Sequence, residues 1–407
     1  MGSSTTSSSG GRALHLPINS LWANRKCVLT CAVVSIANMQ YGLDSSCLAS
    51  LQAMPGFLKV FGYPDPKLNG GYGIDRTFQQ LIGSLLTLGA FLSCLLAGTF
   101  AAYLGRRPAL WAACFLTALG AAIQIGTTSQ GVVYLGRFVI GIGNGWLVIF
   151  SNIYCAEAAP AHLRAILVGL FTQWVTTGTI VGAVTTWATS RDLGKGSYQI
   201  PLGIQFIVPA LLSVGLWFVP ESPRWLVNRG RLQDARKALE RLRGDSLSKE
   251  ELELEWVETV KGIEEERKMA GGVTALDMFR GTNRRRTLLC FAVIIAQISS
   301  GVWFTISYST YFFVVSGLGV EEAFRFNILK SSVGIIGVQV GMYLMRYVVG
   351  RRTILMLGGL FQGLCMLGLG ITASTTVPGS PVSRSLVVTY YYYCSYTVGG
   401  LASIPMG

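Results

Sequence analysis

Gln79–Ala101 reads QQLIGSLLTLGAFLSCLLAGTFA, 23 residues without one charged side chain. As a helix rising about 1.5 Å per residue it is about 34 Å long. That length crosses a hydrocarbon core of roughly 30 Å. Working outward, further apolar runs lie at 27–48, 108–128, 132–153, 165–188, 200–219, 287–315, 327–349, 352–373 and 385–405. Ten such runs make the chain an all-α polytopic membrane protein.

Composition agrees. Of 407 residues 51% are hydrophobic and 13% charged, against about 25% charged in soluble domains. Mean hydropathy is +0.48. The net charge of +13 has its explanation in membrane orientation, so no nucleic-acid partner is expected. Cys31, Cys94, Cys114, Cys290 and Cys365 lie inside apolar runs with no metal or disulfide spacing. With His15 and His162 alone, no histidine metal site and no cofactor is expected.

Lys and Arg set the orientation. With the N-terminus inside, 24 of the 33 fall on inner segments and 8 on outer ones, and Arg137 lies within a run. Arg325 and Lys330 are counted among the outer eight. The Ser/Gly-rich residues 1–26 read as a disordered cytoplasmic tail with no signal-peptide core. Met1-Gly2 with Thr6 fits an N-myristoylation pattern, which low-complexity tails produce easily. Six runs over 27–219 form a first bundle. The charged segment 220–286, with Leu232, Ala235, Leu239 and Leu242 at helical spacing, reads as cytoplasmic helices. Four runs over 287–407 form a partial second bundle.

Two charges inside the runs stand out. Asp44 lies about 26 Å along an outward-running helix, and Arg137 about 7.5 Å into an inward-running one. Both therefore sit in the outer half of the membrane, where charges are costly and usually functional or paired. Either a proton site or a static ion pair accounts for them. A second cluster gathers at the inner face: Arg106, Arg107, Glu157, Arg164, Glu221, Arg224, Arg351 and Arg352. Gly141, Gly143 and Gly145 suit close helix packing. There is no phosphate-binding loop and no catalytic constellation, so an enzyme is not expected.

Pro220-Glu-Ser-Pro-Arg-Trp-Leu226, Gly230-Arg-Leu-Gln-Asp-Ala-Arg236, Gly136-Arg137, Tyr154-Cys-Ala-Glu157, Tyr198-Gln-Ile-Pro201 with Gln205, and turns at Gly105-Arg-Arg107 and Gly350-Arg-Arg352 form one pattern. It resembles the sugar porter family of the major facilitator superfamily, fungal members in particular. Tyr308 to Phe313 and Gly317-Leu318 look like the α-glucoside (maltose-type) permeases. The resemblance implies the major facilitator fold, two six-helix halves alternating access to a central sugar site. It also implies that Asp44 takes the proton, that Arg137 is its partner, and that the inner cluster is a salt-bridge gate.

The departures concern the sugar site. Thr172 stands at a glutamine position with Gln173 one residue off, and Gln297 is kept while Ile298 replaces its neighbour. Trp303 and Gly337 replace asparagines, while Tyr308 and Tyr41 remain. Because each amide both donates and accepts, a pocket poorer in amides suits a less polar or bulkier solute than a hexose. Ala102 and Tyr347 stand where inner-loop acids are expected. Val398–Pro405 resembles part of the tenth helix, so the second half is expected to be cut short. The reading is a proton-coupled transporter of a sugar or sugar-like solute. It is expected to be monomeric in the plasma membrane bilayer, with Tyr41, Thr172, Gln173, Gln297, Trp303 and Tyr308 lining the cavity. A non-transporting sugar sensor and a truncated inactive remnant are the alternatives.

Overall fold

The computed structural model describes residues 24–64, 72–160, 163–192, 194–244, 249–270, 275–299, 302–315, 318–347, 350–375 and 387–390. The tail to residue 23 and nearly all of the tenth run lie outside them. The first run is two helices, α1 (Arg25–Ser35) and α2 (Ala37–Leu51). After it come a short α3 (Pro55–Phe61) and two paired two-residue strands, Tyr63–Pro64 and Tyr72–Gly73. The next runs form α4 (Arg76–Leu104), α5 (Arg106–Ile125), α6 (Gln130–Ala158) and α7 (Arg164–Thr189). The sixth is broken into α8 (Gly196–Ile204) and α9 (Ile207–Phe218). Pro209 has no N–H to donate to the Gln205 carbonyl one turn back, which interrupts the ladder there.

Segment 220–286 folds as α10 (Pro223–Asn228), α11 (Leu232–Arg243) and α12 (Lys249–Ala270), then a 3-10 turn at Ala275–Phe279. The second half follows as α13 (Gly281–Ser299), α14 (Val302–Val315), α15 (Val320–Tyr347) and α16 (Arg351–Thr375). Among the described residues, five segments are long and apolar enough to cross a membrane by themselves: α4, α5, α6, the α8–α9 pair and Arg352–Ile371. The α7 helix carries seven threonines. It still suits an apolar setting, because Thr176, Thr177, Thr179, Thr185, Thr186 and Thr189 return their hydroxyls to carbonyls one turn back, so those donors need no water.

Small residues bring the helices together. A methyl on Gly42 would overlap the Val175 carbonyl, one on Gly178 that of Met39, and one on Gly141 that of Leu86. Thus α2 packs on α7, and α4 and α5 pack on α6, through backbone proximity rather than side-chain bulk. Leu88, Phe91 and Leu95 on α4, with Val214, Trp217 and Phe218 on α9, point outward, as lipid-facing residues do. The turn at Gly105, with φ 93°, links α4 to α5 in a conformation that favours glycine.

The two ends of the bundle differ. Arg25, Arg106 and Arg164 mark a basic face, against which α10 and α11 pack. One apolar core lies toward it, including Cys27, Leu110, Tyr154 and Leu216. A second core lies toward the opposite face and joins the halves: Leu48 and Leu51 of α2 and Phe57 of α3 share it with Phe313, Leu318 and Phe324. This seam holds the halves together at that end.

Candidate functional site

The structure brings Asp44 and Arg137 together. Arg137 Nη1 donates to Asp44 Oδ1 at 3.0 Å, and the residues are 2% and 0% exposed. Gln205 Nε2 donates to the same oxygen at 2.9 Å, and Asn144 Nδ2 lies 3.5 Å from Oδ2. Three elements therefore converge on one carboxylate: α2, α6 at two positions, and the break between α8 and α9. The break that Pro209 imposes is what presents Gln205. Around the pair, Arg137 Nε, Asn144 Oδ1, Gln205 Oε1 and both amide atoms of Gln40 are buried without a hydrogen-bond partner. A cavity between α2, α3, α6 and α8 reaches Arg137. It is lined by Leu51, Phe61, Gln124, Tyr198 and Leu202 among others, with about 10 Å³ of room for water centres, roughly one molecule.

At the basic face the expected gate resolves into distinct contacts. Arg106 holds Glu157 in a fork, Nε at 3.0 Å and Nη2 at 2.8 Å, and Ser222 Oγ donates to Glu157 Oε2 at 2.6 Å. Glu221 does not pair with an arginine side chain in this way. Its oxygens accept the backbone N–H groups of Arg106 and Arg107 at 3.0 and 3.2 Å, capping the N-terminus of α5 where orphan donors and the helix dipole favour an anion. Burial nevertheless raises its pKa, against the lowering by those N–H groups and Arg106. Arg224 turns away to Glu266 of α12 at 2.8 Å. Arg164 and Arg352 make no ion pair among the described residues, and the side chain of Arg351 lies outside them. Arg243, which sequence reading passed over, is buried. It donates to the Ala158 carbonyl at the end of α6 at 3.0 Å and pairs with Glu255. Its sequence signal was a basic residue closing the amphipathic α11.

Of the expected cavity residues, Thr172 is buried on α7 and Tyr41 is half-buried on α2. Gln173 faces the other half, where Gln339 Nε2 of α15 donates to its Oε1 at 2.7 Å. Tyr308 is half-buried on α14. Gln297 lies on α13 and Trp303 on α14, with side chains outside the described residues. Nearer the opposite face, Asn327 Nδ2 reaches Ser50 Oγ at 3.4 Å, and Gln52 Nε2 reaches the Ser307 carbonyl at 3.4 Å. Arg191 and Glu321 form an ion pair at that end, which Arg325 joins at 2.7 Å. Lys330, counted from sequence as an outer charge, is instead buried inside α15 and donates to Ser309 Oγ at 2.8 Å.

A family profile described as "Sugar (and other) transporter" matches residues 30–406. The chain belongs to that family. Among its relatives is a high glucose sensor of Saccharomyces cerevisiae, 28% identical over 395 residues, covering 95% of this chain and 50% of the relative. A maltose permease of the same species is 30% identical over 374 residues, covering 88% and 59%. The chain thus spans between half and three fifths of the length of these curated relatives. The xylose transporter XylE from E. coli, in a partially occluded inward open conformation, superposes with a TM-score of 0.74 at 19% identity, covering 93% of this chain and 85% of that one. The fold of this sugar transporter family member is therefore the major facilitator fold, and the protein is a multi-pass membrane protein.

Proposed function

We propose that the protein moves a sugar or sugar-like solute across a membrane by alternating access, coupled to protons. The observation that carries this reading is the carboxylate of Asp44, fully buried and held by Arg137 between the helices of the first half. Two charges removed from water need each other. Protonating Asp44 removes its charge and leaves the Arg137 guanidinium uncompensated, so the arrangement that suits the charged pair no longer suits the protonated one. A proton then shifts the balance between conformations by its differential binding to them. A solute bound between the halves couples to the same balance through Gln173 and Gln339, which meet across the seam. The solute cavity is bordered by Tyr41, Thr172, Gln173 and Tyr308, with Gln297 and Trp303 on the helices that continue its wall. The basic face is cytoplasmic in this reading, the protein acts as a monomer, and the plasma membrane is its site.

The support is the family, the fold and this geometry together. The test is uptake into transporter-deficient cells across hexoses, disaccharides and glycosides, with wild type and Asp44→Asn compared at equal surface level. Wild-type accumulation that rises with external acidity and collapses in Asp44→Asn is the expected result. A sensor that binds without transporting is the second reading, favoured by the likeness to the glucose sensor over 95% of this chain. Saturable sugar binding with no uptake and no exchange from a surface-exposed wild type would establish it in place of transport.

A further inference from the structure

We propose that Lys330 is the recognition site for a carboxylate on the transported solute, so that the substrate class is a hydroxylated monocarboxylate such as a sugar acid. The inference rests on the transport reading for the route by which the solute arrives. Lys330 is 8% exposed and lies about 15 Å along α15 from the outer end, a place where a cation is expensive and calls for a functional reason. Its surroundings are built from polar groups on both halves. Lys330 Nζ donates to Ser309 Oγ at 2.8 Å, and Ser309 Oγ bonds Asn327 Oδ1 at 3.3 Å. Asn327 Nδ2 then reaches Ser50 Oγ on α2 at 3.4 Å. The hydroxyls of Thr310, next to Ser309, and of Ser46, one turn from Ser50, are buried with no hydrogen-bond partner.

This cluster straddles the seam that must part when the outer side opens. Parting it places an ammonium, four hydroxyl-bearing residues and an amide in the cavity wall. Hydroxyls and amides suit a polyol, and an ammonium suits a carboxylate, whose charge-assisted hydrogen bonds are about twice as strong as neutral ones. One lysine balances one negative charge; a phosphate dianion would remain half uncompensated. Residues 323–375 hold no Asp or Glu, so α15 beyond Glu322 and α16 contribute only basic side chains to the field around the cluster. A carboxylated solute also fits the amide-poor central site, since part of its affinity comes from charge.

The test uses the purified full-length chain and two probes of equal size, D-glucuronate and D-glucose, read by thermal stabilisation in detergent and by uptake into proteoliposomes. Wild type and Lys330→Arg are expected to bind glucuronate at least tenfold more tightly than glucose. Lys330→Gln, with an unchanged melting temperature, is expected to lose that preference while its glucose curve stays put. Symport of one proton with one monocarboxylate moves no net charge, so a potassium–valinomycin clamp should leave glucuronate uptake unchanged. Equal binding of the two probes, binding of neither by folded wild type, or a preference that survives Lys330→Gln overturns the proposal. Preferential glucuronate binding without any uptake upholds the charge site and overturns the transport reading instead.

Discussion

Arg137 and Asp44 each make the other's burial tolerable, and removing one partner alone leaves a charge stranded. Arg137→Met is expected to lower stability by about 3–5 kcal/mol, and the double variant with Asp44→Asn to recover a large part of it. Thermal unfolding of the three proteins in one detergent checks this; a double variant no better than Arg137→Met would break the argument. Glu221 behaves differently, because burial raises its pKa from 4.5. A raised carboxyl pKa means that the fold favours the protonated form. Its contribution is fully present below the unfolded value and is lost as pH rises through the raised one. Relative to Glu221→Gln, wild type should therefore lose ground from about pH 4.5 upward, measurable as a fall of its melting temperature relative to the variant's. That Asp44 and Arg137 could meet was legible from residue counts, since helix rise puts them at similar heights on their helices. Lys330 was not, because counting basic residues for orientation treats a buried lysine and a loop lysine alike.

The helices themselves were legible from hydropathy almost run by run, and their breaks were not. The α8–α9 interruption depends on one proline acting on a carbonyl four residues back, and its value lies in where it sends Gln205. Straightening it by Pro209→Ala is expected to draw Gln205 away from Asp44. The expected result is weaker pH dependence of uptake with the protein still folded, compared with wild type at matched expression. Helix contacts give a second prediction. Gly141→Ala puts a methyl on the Leu86 carbonyl, whereas a methyl on Gly98 meets nothing within 4 Å. Overpacking of the first kind costs about 1–3 kcal/mol, while Gly98→Ala should stay within about 0.5 kcal/mol of wild type. Similar melting temperatures for the two variants would show that α4 and α6 are not this close. The threonines of α7 sit in the bundle at little cost, because their donors are satisfied locally.

At the scale of the molecule, the halves meet through an apolar core, a polar seam and the Arg191–Glu321 ion pair at the face opposite the basic one. Arg191 holds the Glu321 carboxyl below its ordinary value, with Arg325 adding to the effect. A depressed pKa means that the pair's contribution is present above the ordinary carboxylate range and is lost only as pH falls through the lowered value. Between pH 5 and 8 the pair should therefore be insensitive to pH, and exposed as it is, sensitive to salt. Labelling of Ser309→Cys from outside should stay flat over that pH range and rise with Glu321→Lys, which turns attraction into repulsion. A labelling rate that already climbs between pH 7 and 5 in an Asp44→Asn background would assign proton sensitivity to the outer pair and refute this division of labour.

The clamp that Arg243 makes on the end of α6 has a practical corollary. Because α11 is fixed to the first half and α12 is tied to α11 through Glu255, these helices travel with that half as one frame. Any rocking of the second half then moves α13–α16 relative to this frame. A fluorescent dye on the exposed side of α12 is thus a stationary reference, and a second dye on the start of α16 is the moving hand. The distance between them, followed in single molecules, would time the alternation proposed above.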